Sequence, residues 1–285
     1  MLAIAGGLGA AFMWATTALL SGRSSRLIGA ASTLAWIMLI GTVAGVPLAL
    51  ASGPLPALTP ELSFWLAGAS LGSIIGLLMV FRGMRIGKVG VVAALSSTEG
   101  AMAAVFSIVA GERLSVPVAL TLGVIAAGVA VVALARGGEP AAHSGPGDER
   151  RAIMYGSAAA LCFGLSIFST ARLGATMTPF AAVMPPRLLG VAVVALPLAL
   201  TGRLRLSRPA VPLVVAIGAA ELFGNASYVV GAQQSIAVAA VLASQFAAVA
   251  AVAAFLVFGE RLSLQQRWGV AGIFVGVALL AIFRS

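Results

Sequence analysis

The stretch GERLS at residues 111–115 occurs a second time at residues 259–263. Each copy stands directly before the last long apolar run of its half of the chain. The same register continues upstream, where Ser96 falls on Ser244. The distance along the chain from residue 111 to residue 259 is much longer than a solenoid unit, which has roughly 20–50 residues. The pattern therefore indicates a whole helical bundle that has been duplicated.

Composition places this bundle in lipid. Hydrophobic residues make up 61% of the chain and charged residues 9%, against about 25% charged in a soluble domain. The mean hydropathy is +1.10. The net charge of +9 does not indicate nucleic-acid binding, because the basic residues stand in short turns between apolar runs. Membrane topology explains that distribution better.

Ten apolar runs are each long enough to cross about 30 Å of hydrocarbon as a helix. They predict an all-α integral membrane protein of ten transmembrane helices, in two inverted five-helix repeats. The predicted runs are 2–20, 28–51, 62–81, 89–110, 116–135, 152–171, 179–200, 210–230, 236–258 and 264–283. The predicted domains are a first repeat at 1–135, a polar linker at 136–151 and a second repeat at 152–285.

The odd number of helices in each half inverts the second repeat relative to the first, and such repeats place a transport site near mid-membrane. In this topology Arg113, Arg172 and Arg284 lie on the side of the termini, and Arg187 lies inside a span. Every other Lys and Arg lies on the opposite side. The positive-inside rule then puts both termini on the non-cytoplasmic side of a bacterial-type inner membrane.

The paired GERLS turns, the two five-helix halves and the stretch 96–100 (SSTEG) resemble the EamA family of the drug/metabolite transporter superfamily. The resemblance covers nearly the whole chain. It implies export or exchange of small metabolites, commonly amino acids. The family usually carries Pro where Gly100 stands, so we expect the helix to bend less there. It also often carries Arg early in the second helix of each half, which Arg187 matches in the second half only.

Three charged residues are interpreted as structural. Glu112 and Glu260 each stand at the membrane surface just before a helix, where an acid complements the helix N-terminus. Arg187 follows two prolines inside a span and either pairs with a buried carboxylate or reaches the interface by snorkelling. Glycines spaced four apart, at 68, 72 and 76 and at 272 and 276, predict close helix contacts.

Candidate cavity residues are polar or aromatic side chains within the spans. Glu221, Asn225 and Tyr228 form one stripe by helical spacing, and Glu99 lies midway along another helix. Interhelical hydrogen bonding would use the same residue types, so both interpretations stay open. The complete predicted lining is Trp14, Thr17, Met79, Ser96, Glu99, Glu221, Asn225, Tyr228, Ser244 and Gln245.

The sequence predicts a transporter that exports small metabolites, amino acids foremost, by alternating access between the repeats. The alternative is a proton-coupled multidrug or cation exporter, and a third interpretation is an intramembrane enzyme or scaffold. No nucleotide-binding motif, metal-ligand cluster or catalytic set is visible, so we expect no cofactor, metal or enzymatic activity. The expected partners are a small-molecule substrate and the lipid bilayer, with no nucleic acid. A monomer is compatible with the sequence, which does not determine the oligomeric state.

Overall fold

The computed structural model of the protein describes residues 1–86, 89–135, 146–258 and 264–283. All regular secondary structure within these residues is helical. A helix satisfies every backbone N–H and C=O group inside its own segment, which hydrocarbon surroundings demand. The all-helical prediction is confirmed for the described part of the chain.

The described residues of the first repeat form six helices. Helices α1 to α6 run over Leu2–Ile28, Ala30–Ala51, Pro60–Ile86, Val89–Ser96, Glu99–Val109 and Val116–Ala135. Three glycines with positive φ angles lie between them: φ is 85° at Gly29, between α1 and α2, 141° at Gly53, between α2 and α3, and 101° at Gly111, between α5 and α6. Only glycine adopts this backbone region without steric cost, which explains the first letter of the GERLS stretch at 111–115.

The second repeat follows the same order with more interruptions. Helices α7 to α14 run over Pro146–Leu173, Pro179–Ala182, Met184–Gly190, Leu196–Leu200, Val211–Ala232, Ile236–Ala243, Phe246–Phe258 and Leu264–Phe283. A π-helical turn, Val191–Ala195, joins α9 to α10, and a 3₁₀ turn, Arg208–Ala210, precedes α11. The predicted single run at 179–200 is thus helical but not uniform.

Six helical segments among the described residues are long and apolar enough to span a membrane. They are Leu2–Ile28, Ala30–Ala51, Pro60–Ile86, Glu149–Leu173, Pro179–Leu200 and Arg208–Ala232. Four further apolar helices are shorter: Glu99–Val109, Val116–Val131, Ile236–Ala250 and Arg267–Leu280. Every predicted run is mainly helical where the structure describes it, with short interruptions in some runs, and the count of ten spans stays a prediction.

The boundary between the repeats is only partly described. Residues 146–151, which the sequence pattern assigns to the linker, form the first turns of α7. Residues 136–145 lie outside the described residues, and so does Glu260. The predicted linker limits and the predicted role of Glu260 therefore stay predictions.

The most extensive helix contacts join the two repeats to each other. Helix α1 packs along α11, α3 along α7, and α6 along α14. Glycine permits the close approach: a Cβ at Gly6 would lie 2.6 Å from the backbone of Gly231, and one at Gly72 would lie 2.7 Å from the carbonyl oxygen of Cys162. The predicted contact face at 68, 72 and 76 is confirmed. The prediction is wrong for Gly272, where an added Cβ would have no neighbouring atom within 4 Å.

Two helices that the sequence predicted as continuous are broken near their middles. The run 89–110 divides into α4 and α5 at Ser97 and Thr98, and the run 236–258 divides into α12 and α13 at Ser244 and Gln245. The breaks occupy matching positions in the two repeats. Helix α5 packs against α12, so the broken helices meet between the bundles.

Side chains at the breaks satisfy carbonyl groups there. Thr98 Oγ1 donates to the carbonyl of Leu95 at 2.7 Å, and Ser244 Oγ donates to that of Val241 at 2.9 Å. Gly100 lies against the second break, where a Cβ would collide with Ser244 and with the carbonyl of Ala240. Hydroxyl side chains thus support the break without a proline, and the expectation that the helix bends less at Gly100 than in the family stays a prediction.

Candidate functional site

A polar cavity of about 270 Å³ lies where the two repeats meet. We call it the central cavity. Six helices bring side chains to it: α1, α3 and α5 of the first repeat, and α7, α11 and α13 of the second. The lining residues are Trp14, Thr17, Ala18, Ser73, Glu99, Phe163, Ser166, Ile167, Glu221, Asn225 and Phe246. Both repeats thus contribute to one site.

A smaller space of about 80 Å³, here called the side lobe, adjoins the central cavity. The two spaces share the residues Ser73, Ser166, Ile167, Glu221 and Asn225. The side lobe adds Met38, Thr170, Val183, Pro186, Arg187 and Tyr228. Glu221 and Asn225 therefore stand between a larger space bearing a second acid and a smaller space bearing a base.

Two carboxylates make the central cavity acidic. Glu99 is the first residue of α5, and Glu221 lies in the middle of α11. Asn225, one turn later, donates from Nδ2 to the carbonyl oxygen of Glu221 at 2.7 Å and to its Oε1 at 3.1 Å. The second bond holds the Glu221 side chain in place. Two acids in so small a space favour a positively charged or proton-donating occupant.

Arg187 is buried, with 5% of its surface exposed, and its guanidinium binds backbone rather than a carboxylate oxygen in the bonds that the structure records. Nη1 donates to the carbonyl of Val183 at 2.7 Å and Nη2 to that of Glu221 at 2.8 Å. Gly41 of α2 makes room, since a Cβ there would lie 2.9 Å from Arg187 Nε. Arg187 thus ties α9 to α11 beside the site, and it does not reach the interface by snorkelling.

Aromatic rings form one wall of the central cavity. The ring of Trp14 lies 6.2 Å from that of Phe246 at an interplanar angle of 82°, and 6.3 Å from that of Tyr228. Tyr228 is 1% exposed, and its hydroxyl donates to the carbonyl of Ile167 at 3.2 Å. Trp14, a predicted lining residue, thus belongs to an aromatic wall.

Two polar atoms on α1 have no hydrogen-bond partner among the described residues: Trp14 Nε1 and Thr17 Oγ1. Both residues line the central cavity. Buried polar atoms are nearly always hydrogen-bonded, because leaving one unpaired costs about 1–3 kcal/mol. Both atoms are themselves buried, and Trp14 Nε1 lies beside Gly224 of α11. They can donate to an acceptor in the cavity once α1 moves relative to α11.

Two half-helices begin at the same cavity. Helix α5 begins at Glu99 and α13 begins at Phe246, and both residues line the wall. The first N–H groups of a helix have no partner inside the helix and carry partial positive charge. In transporters, broken helices at mid-membrane direct such ends toward anionic groups of the substrate. The cavity therefore lies beside acidic side chains and beside the electropositive starts of two half-helices.

The structure brings six of the predicted lining residues together and places the other four elsewhere. Trp14, Thr17, Glu99, Glu221, Asn225 and Tyr228 line the central cavity or the side lobe. Met79 is half-buried on α3, outside these lining sets. Ser96 and Ser244 donate to carbonyls three residues earlier, at 3.0 and 2.9 Å. Gln245 lines a separate apolar groove.

Sequence reasoning missed several lining residues that the repeat register would have found. Ser73 falls on Glu221 in the register that places Ser96 on Ser244. With an offset one residue longer, Trp14 falls on Phe163 and Thr17 on Ser166. Ser166 donates to the carbonyl of Ala69 at 2.6 Å, which fixes α7 to α3 at the cavity. Comparing each predicted lining residue with the residue at the matching position of the other repeat would therefore have found them.

Glu112 complements a helix N-terminus, as predicted, but the helix belongs to the other repeat. Its carboxylate accepts hydrogen bonds from the hydroxyls of Ser107 and Ser235 and, at 3.2 Å, from the backbone N–H of Ala237. Ser235 is the N-cap residue of α12. The sequence predicted that Glu112 complements the N-terminus of the helix directly after it. That part of the prediction is wrong, because the carboxylate lies at the N-terminus of α12.

Together, the apolar helices, the cross-repeat packing and the shared cavity define a multi-pass membrane protein built as two related bundles. The sequence model of the EamA-like transporter family matches residues 1–134 and 150–282, so the chain belongs to that family. The family is part of the drug/metabolite transporter superfamily, and its members are membrane transporters. The resemblance stated from the GERLS turns is confirmed.

A solved structure titled "Crystal structure of protein" has a similar fold, with a TM-score of 0.78. The two sequences are 19% identical, and the match covers 99% of this chain and 96% of the other. At this identity the likeness concerns the fold alone. No curated protein matches the sequence.

Proposed function

We propose that the protein exports small metabolites that carry an ammonium group, amino acids foremost, by alternating access through the central cavity. The observation that supports this most is the pair Glu99 and Glu221 on one small cavity. Arg187 is the basic residue of the adjoining side lobe, and its guanidinium donates to two backbone carbonyls. An ammonium group is the occupant that such a cavity accommodates best.

The carboxylate of an amino acid needs donors, and α1 and the half-helices supply candidates. Trp14 Nε1 and Thr17 Oγ1 have no partner in the described structure. The starts of α5 and α13 add backbone N–H groups at the same wall. We infer that the ammonium group lies toward the two acids and the carboxylate toward these donors.

The volume of the cavity favours a small substrate. Pockets for drug-sized ligands measure roughly 300–1,000 Å³. The central cavity holds about 270 Å³ and the side lobe about 80 Å³. We infer that a single small metabolite fills the site, with its side chain in contact with the aromatic wall.

We propose that ten helices span the membrane as two inverted repeats, with both termini on the non-cytoplasmic side of a bacterial inner membrane. The matching helix breaks and the three cross-repeat helix pairs support this arrangement. In such folds one group of helices rocks against the other around a fixed site. We infer that α4 with α5 and α12 with α13 carry the motion, because their breaks meet between the repeats.

A second candidate function is proton-coupled export of larger organic cations. The aromatic side chains Trp14, Phe163 and Phe246 support it, because aromatic faces attract quaternary ammonium groups. The paired acids would then exchange a proton for the cation. Amino-acid export fits the cavity better, because the cavity is small and has hydrogen-bond donors that a lipophilic cation would leave unpaired.

The test is flux in proteoliposomes with sets of three matched compounds. Each set contains an amino acid, the amine that lacks its carboxylate, and the acid that lacks its ammonium group. The proposal expects flux of the amino acid, weaker flux of the amine and none of the acid. Dye-sized cations that move only with a pH gradient would favour the second candidate. Absence of any flux would leave the enzyme or scaffold interpretation.

A further inference from the structure

An apolar groove of about 360 Å³ runs along the outer surface of the bundle, between α1, α13 and α14. We call it the surface groove. Its rim side chains point outward: Phe12 is 59% exposed, Leu256 72% and Phe274 66%. On a membrane protein such a surface faces hydrocarbon, so the groove is open to the acyl region of the bilayer.

The surface groove has the length of one leaflet. Gln245, at the break before α13, stands at its inner end, and Leu256 stands at its outer end. This stretch of helix covers about 16 Å, or half of the roughly 30 Å of hydrocarbon. On α1 the lining extends over the same length, from Leu8 to Leu19. The groove thus begins near mid-membrane and ends near one surface.

A buried polar side chain stands at the inner end. Gln245 is 1% exposed, and neither its Oε1 nor its Nε2 has a hydrogen-bond partner among the described residues. Phe246, the next residue, faces the central cavity instead. The break therefore separates the groove from the transport site.

Basic side chains surround the outer end. Arg23 is four residues beyond Leu19 on α1, and Arg267 is three residues before Val270 on α14. Residues at these spacings lie on one face of a helix. Arg23, Arg26 and Arg267 are all exposed. Gly7 of α1 faces Ala239 of α12, and Trp14, two turns farther along α1, contacts Phe246 at the start of α13. Helix α1 therefore runs in the same direction as α12 and α13, and the arginines gather at one end.

We propose that the surface groove binds one acyl chain of an anionic phospholipid, whose phosphate lies against Arg23, Arg26 and Arg267. An apolar slot of one leaflet's depth with a cationic mouth matches that molecule in length and in charge. Arginines near a membrane surface attract anionic headgroups. The inference holds whichever substrate the central cavity carries.

Native mass spectrometry of the purified full chain tests the headgroup contact, with dioleoyl phosphatidylglycerol and dioleoyl phosphatidylcholine as probes. The parent is expected to bind one phosphatidylglycerol with a preference of at least about tenfold. The triple variant Arg23→Gln/Arg26→Gln/Arg267→Gln is expected to lose that preference. The matched variant Arg203→Gln/Arg205→Gln/Arg208→Gln removes as many exposed arginines that do not neighbour the groove, and it is expected to keep the preference. Equal binding of both lipids by the parent, or equal loss in both variants, would overturn the proposal.

A second variant tests the acyl-chain contact. Ala253 is half-buried in the groove wall, and Ala253→Phe fills the slot; Ala119→Phe on exposed α6 is its control. Bound phosphatidylglycerol is expected to fall at least about fivefold in the first variant only, with both proteins monodisperse. Unchanged binding in Ala253→Phe would refute the site. A dimer of the parent that Ala253→Phe dissociates would also refute it, since a second copy would then be the occupant.

Discussion

Glu112 of the first repeat accepts a hydrogen bond from the backbone N–H of Ala237 in the second repeat, at 3.2 Å. The hydroxyl of Ser235, the N-cap of α12, donates to the same carboxylate. The acid thus neutralises the positive end of a helix that is distant in sequence. The GERLS turn is therefore a joint between the repeats as well as a local turn.

Glu112→Gln is expected to weaken folding and leave substrate choice unchanged. Loss of a cap at a helix N-terminus costs about 0.5–2 kcal/mol, and thermal unfolding in detergent measures it. Glu61→Gln is the control, because Glu61 is 73% exposed in its ion pair with Arg172 and should contribute less than about 1 kcal/mol. A Glu112→Gln protein with normal stability but altered selectivity would contradict the structural role.

Gly6→Ala is expected to disrupt the contact between α1 and α11. The added Cβ would lie 2.6 Å from Gly231 backbone atoms, and backbone cannot move aside cheaply. Overpacking of this kind costs about 1–3 kcal/mol. Gly123→Ala is the matched control on α6, where no atom lies within 4 Å of the new Cβ, so its stability should be unchanged or slightly higher. Equal melting temperatures for the two variants would show that the contact is looser than described.

Glu221→Gln is expected to reduce amino-acid flux while folding stays normal. The substitution keeps the shape and the Oε1 acceptor for Asn225 but removes the charge that an ammonium group needs. A charged hydrogen bond contributes about 1.5–3 kcal/mol, so flux at low substrate should fall about ten- to a hundredfold. Proteoliposome uptake measures it, with the exposed-acid variant Glu61→Gln as control. Parental transport of every substrate would remove Glu221 from the site.

Trp14→Phe is expected to raise the KM for amino acids and leave that for the matched amines unchanged. The variant keeps an aromatic ring beside Phe246 but loses the unpaired N–H. A neutral hydrogen bond contributes about 0.5–1.5 kcal/mol, which corresponds to a rise of up to about tenfold. A rise of the same size for amines and amino acids would mean that the ring, and not its N–H group, makes the contact.

The sequence allowed the helical class and the repeat to be predicted because both depend on periodic signals. Apolar runs and the duplicated GERLS stretch need no knowledge of distant contacts. The breaks at Ser97 and Ser244 escaped prediction, because both lie in apolar runs that favour continuous helices on local criteria. They form where hydroxyl groups support the backbone and Gly100 lets the two broken helices touch.

Part of the site could be predicted from the sequence, because some of its residues are neighbours on one helix. Glu221 and Asn225 share one continuous helix, so their spacing sufficed to place them on one face. Gln245 lies in a break, and its side chain lines the surface groove while Phe246 faces the cavity. The hydrogen bond from Ala237 to Glu112 joins opposite repeats, and no local pattern in the sequence encodes such a pairing.

Cysteine accessibility tests the central claim, that the cavity between the repeats opens alternately to the two sides. Cys162 is the single cysteine, so Cys162→Ser gives a background into which Thr17→Cys is introduced. A membrane-impermeant thiol reagent added to either side of oriented vesicles should label this position, and an amino acid that the protein transports should slow both reactions. Labelling from one side only, or labelling that no transported amino acid slows, would contradict the account.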